Sequence, residues 1–415
     1  MAARTTADGI TRIAVEGFKS IAKRQEIEIR PLTILAGANS SGKSAIMQPL
    51  LMLKQTLEAT YDPGPLKIDG PNVTFTSSSQ FLSKSATALA PRFLRIDIMA
   101  GEFGLGICLI KRVTLEIYDQ TYYTPATKKT LRPDMADEEI RSLISEPRRR
   151  KAGHPSISRD RFLLIVDDGL FSLPIAQPLP DIQGLIHVPG LRGNASRTYR
   201  RTATGPHFPG TFEPYTASLV LRWQSGIDRE RHQQLNCDLV HLGLAARIAA
   251  KEKNEVELDL QINRLPEVDS DDLVSVADVG FGVSQVLPVL VALRAAEEGQ
   301  LVYLEEPEIH LHPRAQTKLA DILAGAANRG VRVVAETHST LLLTAIQTLV
   351  AKGELSPDLV KLHWFQRDPN TGVTQVTSTD LDENGAFGDW PEDFDEVVLD
   401  TDGAYLDAVE ARKVP

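Results

Sequence analysis

The sequence contains few cysteines and no long apolar run, and both absences narrow the class of protein. Only two cysteines, Cys108 and Cys237, occur among 415 residues. Both stand in apolar surroundings, which predicts reduced, buried thiols rather than a disulfide or a metal site. No apolar stretch approaches the roughly twenty residues that cross a bilayer, and the first ten residues lack the apolar core of a secretory signal. We therefore expect a soluble, cytoplasmic protein that makes no membrane contact.

Negative charge exceeds positive charge. The formal net charge is −10, with 45 Lys and Arg against 55 Asp and Glu, and the segment from Asp380 to Glu410 contains no Lys or Arg. The positive charge is patchy, notably at residues 146–154 and at Arg192, Arg197, Arg200 and Arg201. This distribution excludes a globally basic nucleic-acid binder, but it permits DNA to contact either basic cluster. The sequence also lacks a heptad run, which excludes a long coiled-coil arm.

The apolar pattern predicts strands near the N-terminus and regular alternation of strands and helices near the C-terminus. "TRIAVEGF" and "QEIEIR" are typical of half-buried strands, and "LTILAG" of a strand buried on both faces. Helical spacing follows in "GKSAIMQPLLMLKQTLEAT", where Pro49 should kink the helix unless it lies in the first turns. After residue 229 a helix is predicted over residues 229–252, and the alternation that follows indicates a parallel sheet with covered faces.

A glycine- and serine-rich loop between the buried strand and its helix fits the phosphate-binding pattern G-x-x-x-x-G-K-[ST]. In such a loop backbone N–H groups approach phosphate oxygens closely, and the helix N-terminus adds a favourable dipole. Lys43 would reach the β- and γ-phosphates, and the Ser44 hydroxyl would bind Mg²⁺. The candidate nucleotide-binding residues are Gly37, Asn39, Ser40, Ser41, Gly42, Lys43, Ser44 and Ala45.

Two further strand ends carry polar residues. "LVYLEEPEIHLHP" ends an apolar run in Glu305, expected to hold Mg²⁺, and Glu306, expected to orient and deprotonate a water. We interpret His310 and His312, which follow, as part of a loop that packs against a partner subunit rather than as zinc ligands, since no Cys/His cluster accompanies them. "VVAETHS" ends in His338, which could donate to a γ-phosphate.

A second glycine- and serine-containing turn, "GFGVSQ" (residues 280–285, here the signature turn), precedes an apolar helix. Gly282 and Ser284 at a helix N-terminus form another candidate anion site. It cannot serve the phosphate that the first loop holds. It is either a tight turn only, or a cap on a nucleotide bound to another protomer.

These motifs, in this order, resemble the ABC-type ATPase heads of the SMC, RecF and OLD clan, and in particular small AAA ATPases of prokaryotic defence loci. "GFKSI" before "LTILAGANSSGKS" is similar to the opening of that clan, and "LEEPEIHLHP" and "ETHS" resemble its Walker B strand with D-loop and its switch histidine. The resemblance covers about residues 10–58 and 270–365. It implies an α/β fold: a mixed sheet with helices on both faces, an N-terminal antiparallel β-subdomain and an α+β insertion.

The resemblance implies ATP and Mg²⁺ as ligands, and a homodimer in which each head offers its signature turn to ATP held by the other. It assigns catalysis to Glu306, Lys43 and His338. The implied domains are an N-terminal ATPase lobe (1–110), an insertion (111–228), a C-terminal ATPase lobe (229–375) and an acidic tail (376–415). Gln80 is the candidate for the Q-loop glutamine. Only about fifty residues follow the last predicted strand, so we expect no Toprim nuclease domain.

Three functions remain open at this point. The first is an ATP-driven switch acting with a protein effector, by resemblance in anti-phage defence. The second is a RecF-like, DNA-binding ATPase of repair or replication, whose binding would be salt-sensitive. The third is a sensor or scaffold that binds ATP with negligible turnover.

Overall fold

The structure is a computed structural model that describes residues 9–84, 92–143, 154–167, 178–193, 196–263 and 273–388. Within these ranges, in chain order, the strands are β1 (Ile10–Glu16), β2 (Gln25–Glu28), β3 (Leu32–Gly37), β4 (Phe93–Ala100), β5 (Phe103–Lys111), β6 (Leu115–Tyr123), β7 (Lys128–Leu131), β8 (Ser156–Asp160), β9 (Leu163–Asp167), β10 (Ile186–Val188), β11 (Tyr199–Arg200), β12 (Arg247–Glu252), β13 (Glu257–Asn263), β14 (Leu273–Ser275), β15 (Leu301–Glu305), β16 (Arg332–Glu336), β17 (Val360–Arg367) and β18 (Thr374–Thr379). The helices are α1 (Lys43–Leu57), α2 (Asp137–Leu143), α3 (Pro178–Gly184), α4 (Thr216–Gln224), α5 (Arg229–His241), α6 (Phe281–Ala295), α7 (Pro313–Asn328) and α8 (Thr340–Ala351).

Two six-stranded sheets form the frame of the molecule. The N-terminal sheet is antiparallel, in the order β2-β1-β4-β5-β6-β7. The second sheet has the order β10-β15-β16-β3-β17-β18 and is parallel except for the final β17–β18 pair. Because β15, β16 and β3 run in the same direction, their carboxyl ends meet at one edge, which is where ligands bind in open α/β sheets.

The second sheet is covered on both faces, because alternate residues of its strands point to opposite sides. On one face Leu35, Val334 and Phe365 pack with the apolar side of α1 and with the N-terminal sheet. On the other face Ile34 and Ala335 pack with the helices α6, α7 and α8. The predicted mixed sheet with helices on both faces and an N-terminal antiparallel subdomain is confirmed.

One predicted helix was too long. Residues 229–252 do not form a single helix: α5 ends at His241, and Arg247–Glu252 form β12, paired antiparallel with β13. Gly243 has φ +70°, a conformation that ends a helix at low cost in glycine. In "RIAAKE" the buried residues Ile248 and Ala250 alternate with more exposed ones, which is the period of a strand.

Two predicted boundaries and one predicted burial also need correction. The boundary at 110/111 falls inside β5 and that at 375/376 inside β18, so neither separates two structural units. Cys108 is buried, and burial raises the pKa of its thiol to about 11, whereas Cys237 is exposed on α5. On that short amphipathic helix Leu235 and Leu239 take the inward face, and Cys237 lies between them on the outer side. Among the described residues, no helix is long and apolar enough to cross a membrane.

Candidate nucleotide site

The glycine-rich loop joins β3 to α1 in a conformation that only glycine tolerates at two points. Gly37 has φ +141° and Gly42 φ +108°. A Cβ at Gly37 would lie 2.2 Å from the Phe365 carbonyl oxygen, and one at Gly42 would lie 2.5 Å from Thr374 Oγ1. The N-terminus of α1 has no side-chain cap and no acidic residue in its first turn. Its N–H groups and dipole are therefore suited to an anion.

Lys43 lies folded over this loop, with its side chain almost wholly buried. Its Nζ donates to the carbonyl oxygens of Gly37 at 2.9 Å and Ala38 at 3.0 Å. Burial lowers the pKa of Lys43, against the opposing effect of nearby carboxylates, of which Glu336 is the strongest. The buried Ser41 Oγ has no hydrogen-bond partner among the described residues. A desolvated ammonium and an orphaned hydroxyl beside a helix N-terminus fit a bound phosphate group.

Ser44 contacts a carboxylate that sequence reasoning missed. Its Oγ donates to Glu336 Oε1 at 2.8 Å, and the buried Tyr303 hydroxyl donates to Glu336 Oε2 at 2.8 Å. Burial raises the pKa of Glu336 to about 7. The available signal was its position, directly after the apolar run of β16 and two residues before His338.

Glu306 and His338 face the same space. His338 Nε2 lies 3.8 Å from Glu306 Oε1, and the Glu306 N–H donates to the Glu336 carbonyl oxygen at 2.8 Å. Burial and the nearby Lys43 charge lower the pKa of His338. Beneath them the buried Glu308 accepts from Thr337 Oγ1 and, at 3.2 Å, from the His338 N–H. Glu306 itself has φ +45°, in the left-handed region, which fixes the turn that follows β15.

One cavity of about 740 Å³ lies over the carboxyl ends of β3 and β16, and its lining includes Lys43, Ser44, Glu306, Glu336 and His338. Its other walls are the loop after β1, including Lys19 and Ser20, the segment around Gln80, and residues 371–373 of the β17–β18 hairpin. Gln80, the candidate Q-loop residue, therefore lies at the predicted site. The volume is within the range of small-molecule sites.

Behind the loop is a support that the sequence did not reveal. Thr374, the first residue of β18, is fully buried, and its Oγ1 donates to the Ser41 carbonyl oxygen at 2.6 Å. The Thr374 N–H donates to the Ser20 carbonyl oxygen at 2.8 Å. One residue thus holds the glycine-rich loop and the loop after β1 together.

Glu305 lies apart from the other predicted site residues. Its Oε1 is 3.2 Å from His187 Nε2, and its Oε2 accepts from the Gly190 N–H at 3.0 Å. Burial opposes ionisation of Glu305, but these hydrogen bonds and the His187 interaction lower its pKa overall. Its side chain is not among those that line the cavity.

The signature turn lies outside the cavity as well. Gly280 is the N-cap of α6, and the Ser284 Oγ donates back to the Phe281 carbonyl oxygen at 3.0 Å. The Phe281 side chain is 58% exposed, and its ring centroid lies 5.9 Å from that of the exposed His310. His312, by contrast, caps α7 by accepting from the Arg314 N–H. The turn thus packs on the loop that follows β15 and presents its outer surface to solvent.

Arg192 joins this turn to the strand end that carries Glu306. Its guanidinium donates to the carbonyl oxygens of Glu305 and Glu306 at 2.6 and 2.8 Å and to that of Gln285 at 3.0 Å. Its Nε donates to the Pro189 carbonyl oxygen at 3.0 Å, and burial lowers its pKa to about 10. Of the two alternatives left open for Arg192, a solvated loop residue or a contact to DNA, the structure shows neither, since its donors are turned inward onto four backbone carbonyls.

Part of the chain matches a known family. Residues 187–344, which include the signature turn and both polar strand ends, match a family described as "AAA domain, putative AbiEii toxin, Type IV TA system". In the second sheet the glycine-rich loop follows β3, the carboxylate pair follows β15, and β16 lies between them. Over residues 187–344 the chain is therefore similar to an AAA domain.

Solved structures that are similar to this chain include SMC heads. One is an SMC head bound to the C-terminal winged-helix domain of ScpA, with TM-score 0.48 and 12% identity over 90% of this chain and 98% of the other. The SMC head of Thermotoga maritima has TM-score 0.41 and 12% identity, over 89% and 98%. A head with extended coiled coil, bound to ScpA from Pyrococcus furiosus, has TM-score 0.42 and 12% identity, over 90% and 96%. No curated protein sequence matches the chain significantly.

The basic clusters of the chain offer little free charge where the structure describes them. Arg197 pairs with Asp278 at 2.6 Å, and Arg201 pairs with Glu252 at 3.1 Å. Arg200 is exposed on β11. Residues 148–151 of the other cluster lie outside the described residues.

The donor set at the loop fits Mg²⁺ carried by a nucleotide. The Ser44 hydroxyl and the carboxylates of Glu306 and Glu336 are oxygen ligands, which Mg²⁺ prefers. In the described part of the chain no three His, Cys, Asp or Glu side chains gather into a metal cluster. Mg²⁺ characteristically uses one or two protein carboxylates together with substrate phosphates. These side chains therefore provide part of such a site, and a nucleotide would complete it.

Proposed function

We propose that the chain binds ATP with Mg²⁺ in the cavity and hydrolyses it to ADP and phosphate. The observation that carries the proposal is that one cavity collects Lys43, Glu306 and His338 from the ends of three neighbouring strands. Phosphoryl transfer depends on positioning and on charge stabilisation at the transferred group. Each of these side chains can supply part of that positioning or charge stabilisation.

The roles follow from chemistry and position. The N–H groups at the start of α1 and the Lys43 ammonium hold the β- and γ-phosphates. Glu306 accepts a proton from the attacking water and orients it. His338, kept largely neutral by burial and by Lys43, donates a hydrogen bond to the γ-phosphate. Mg²⁺, when bound near Ser44, neutralises charge on the phosphate oxygens.

The signature turn completes the site from a second copy of the chain in a head-to-tail homodimer. Three observations support this proposal. Gly282 and Ser284 form a helix N-terminus that lies outside the cavity of their own chain. The apolar Phe281 beside them is exposed, and so is Leu191, at 93%, next to the buried Arg192. Exposed apolar residues beside an unused anion site are suited to docking on another protein surface that carries phosphate.

The cellular role we propose is anti-phage defence with a partner effector, by a cytoplasmic protein. The description of the matched family names a toxin of a type IV toxin–antitoxin system. The conformational switch would be the closing and opening of the dimer as ATP binds and is hydrolysed. Closure would change which surfaces the effector contacts.

The test compares Glu306→Gln with Lys43→Ala. Glu306→Gln should keep ATP affinity, lower phosphate release by about 100-fold or more, and give a dimer on gel filtration with ATP and Mg²⁺. Lys43→Ala should bind ATP poorly and stay monomeric. If Glu306→Gln elutes like Lys43→Ala, the ATP-dependent dimer is wrong. If the wild type releases phosphate no faster than Glu306→Gln, the chain binds ATP without acting as an ATPase.

A further inference from the structure

Two carboxylates occupy matching positions on neighbouring strands of the second sheet. Glu305 ends β15 and Glu336 ends β16, and the two residues are partners in the parallel register. Glu336 is in turn the register partner of Leu35 on β3, which leads into the glycine-rich loop. Glu336 therefore lies one strand closer to the loop than Glu305.

The Glu305 carboxylate is held away from the loop. It is bonded to His187 and to the Gly190 N–H, and His187 is 2% exposed. The other ring nitrogen of His187 is 3.1 Å from Asn72 Oδ1, so the imidazole is fixed on both sides. Moving Glu305 towards Ser44 would leave these buried groups without partners, at a cost of roughly 1–3 kcal/mol for each.

The Glu336 carboxylate is held at the loop. One oxygen accepts from Ser44, the predicted Mg²⁺ ligand, and the other accepts from Tyr303, which has no exposed surface. Glu336 lines the cavity, whereas Glu305 does not. The Tyr303 hydroxyl is a positioning group, because it fixes the carboxylate through the oxygen that does not face Ser44.

We propose that Glu336, and not Glu305, is the carboxylate that works with Ser44 to hold the Mg²⁺ that accompanies the nucleotide. This inference rests on the proposed ATP binding. The chemistry is that of a hydroxyl and one carboxylate beside phosphate oxygens, a donor set that Mg²⁺ commonly uses. Glu305 then has a structural role, since it ties the end of β15 to the loop of residues 187–190.

The experiment measures how strongly Mg²⁺ tightens the binding of a fluorescent ADP analogue, as the ratio of Kd with a chelator to Kd with Mg²⁺. Glu336→Gln should reduce this ratio by about 10- to 100-fold, as loss of a metal-site carboxylate does. Its affinity in chelator should not weaken, because a negative charge near the phosphates is removed. Glu305→Gln, the matched variant one strand away, should change the ratio by no more than about twofold.

A second readout reports on the ion directly. Mn²⁺, added with ADP in place of Mg²⁺, should give a protein-bound electron paramagnetic resonance signal in the wild type and in Glu305→Gln, and should lose it in Glu336→Gln. Thermal melting checks folding. If Glu336→Gln fails to fold, Glu336→Asp and Tyr303→Phe take its place, and both should reduce the ratio in part.

The outcomes separate this inference from the proposed function. A ratio that collapses in Glu305→Gln and persists in Glu336→Gln overturns the inference, and so does an equal loss in both. A wild type that binds the analogue with no Mg²⁺ dependence overturns the inference while leaving nucleotide binding intact. A wild type that binds no nucleotide under either condition overturns the proposed function itself.

Discussion

The chain contains two turns of similar composition, each at the N-terminus of a helix, and they lie in different surroundings. The loop before α1 is enclosed: Lys43 is 3% exposed, and carboxylates, His338 and the β17–β18 hairpin surround it. The signature turn before α6 is open: Phe281 is 58% exposed, and Ser284 bonds only to its own turn among the contacts described. Glycine and serine at a helix start therefore indicate an anion site but do not say which molecule it serves.

The two turns are nevertheless connected inside one chain. Arg192 donates to the Gln285 carbonyl in α6 and to the carbonyls of Glu305 and Glu306 at the end of β15. The Gln285 side chain donates in return to the Gly193 carbonyl oxygen at 2.6 Å. A displacement of the open turn would therefore be transmitted to the enclosed site through a few short hydrogen bonds.

The largest expected effect is at the enclosed turn. Lys43→Ala removes the ammonium that lies over the loop, and we expect nucleotide affinity and hydrolysis each to fall by about 100-fold or more. Equilibrium dialysis with ATP and a phosphate-release assay measure the two losses. Circular dichroism should show a folded protein. Retention of near wild-type affinity would mean that the loop does not hold the nucleotide.

The next prediction tests whether the nucleotide site is complete within one chain or is completed by the signature turn of a second copy. Ser284→Arg places a bulky cation on the exposed turn, and it should abolish hydrolysis while leaving ATP affinity within about twofold, since Ser284 lies outside the cavity. Mixing this variant with Lys43→Ala should restore part of the hydrolysis. A mixed dimer would have one intact site of two, formed by the Lys43 of the first variant and the Ser284 of the second. No recovery on mixing would show that the turns act within one chain.

Weakening the connection between the turns should have a smaller effect, which falls on turnover rather than on ATP affinity. Arg192→Lys keeps the charge but cannot reach four carbonyl groups at once. Misplacement of Glu306 by a fraction of an ångström should lower the hydrolysis rate by about 10- to 100-fold, with ATP affinity changed by less than about threefold. Rate and affinity measured on the same preparation check this. Equal losses in both would make Arg192 a general structural residue.

The last prediction concerns the acid stability of the sheet that carries the enclosed site rather than its activity. His363 in β17 is buried between the Glu28 carbonyl oxygen and Ser378 Oγ, and burial lowers its pKa to about 4, with Lys361 and Arg30 also disfavouring the charged form. The unfolded state therefore binds more protons between pH 6.5 and 4, so stability falls as the pH is lowered through that window.

For one proton the slope approaches about 1.4 kcal/mol per pH unit. Urea unfolding of the wild type and of His363→Gln between pH 6.5 and 4 tests this pH dependence of stability. The variant should show a shallower dependence. Carboxylates elsewhere contribute to both curves, so the difference between them isolates His363. Parallel curves would mean that His363 titrates in the folded state as it does in the unfolded chain.

Features that depend on local sequence could be predicted, and those that depend on strand order could not. The glycine-rich loop, Glu306 and His338 each follow an apolar strand, and the cavity collects them. Thr374 has no comparable local signal, and the position of Glu336 at the end of an apolar strand does not reveal which residue it contacts. Glu336 reaches Ser44 because β16 lies next to β3, and Thr374 reaches Ser41 because the β17–β18 hairpin folds back beside the loop.

The burial of Arg192 could not be predicted from local sequence either. An arginine in a glycine-rich segment usually predicts an exposed charge. Its burial here depends on four carbonyl acceptors from three segments of the chain, those of Pro189, Gln285, Glu305 and Glu306, and the last three are brought to it only by the tertiary structure. The strand at Arg247–Glu252 was missed for a related reason, because pairing with β13 outweighs the helical preference of its alanines.

Thr374 has a consequence for the order in which the protein can mature during synthesis. It bonds to Ser41, 333 positions earlier, and to Ser20, 354 positions earlier. A nascent chain therefore displays the glycine-rich loop long before its support emerges from the ribosome. ATP should give no protection to a ribosome-bound chain that stops short of β18, and a nucleotide can act as a folding ligand only after β18 has emerged.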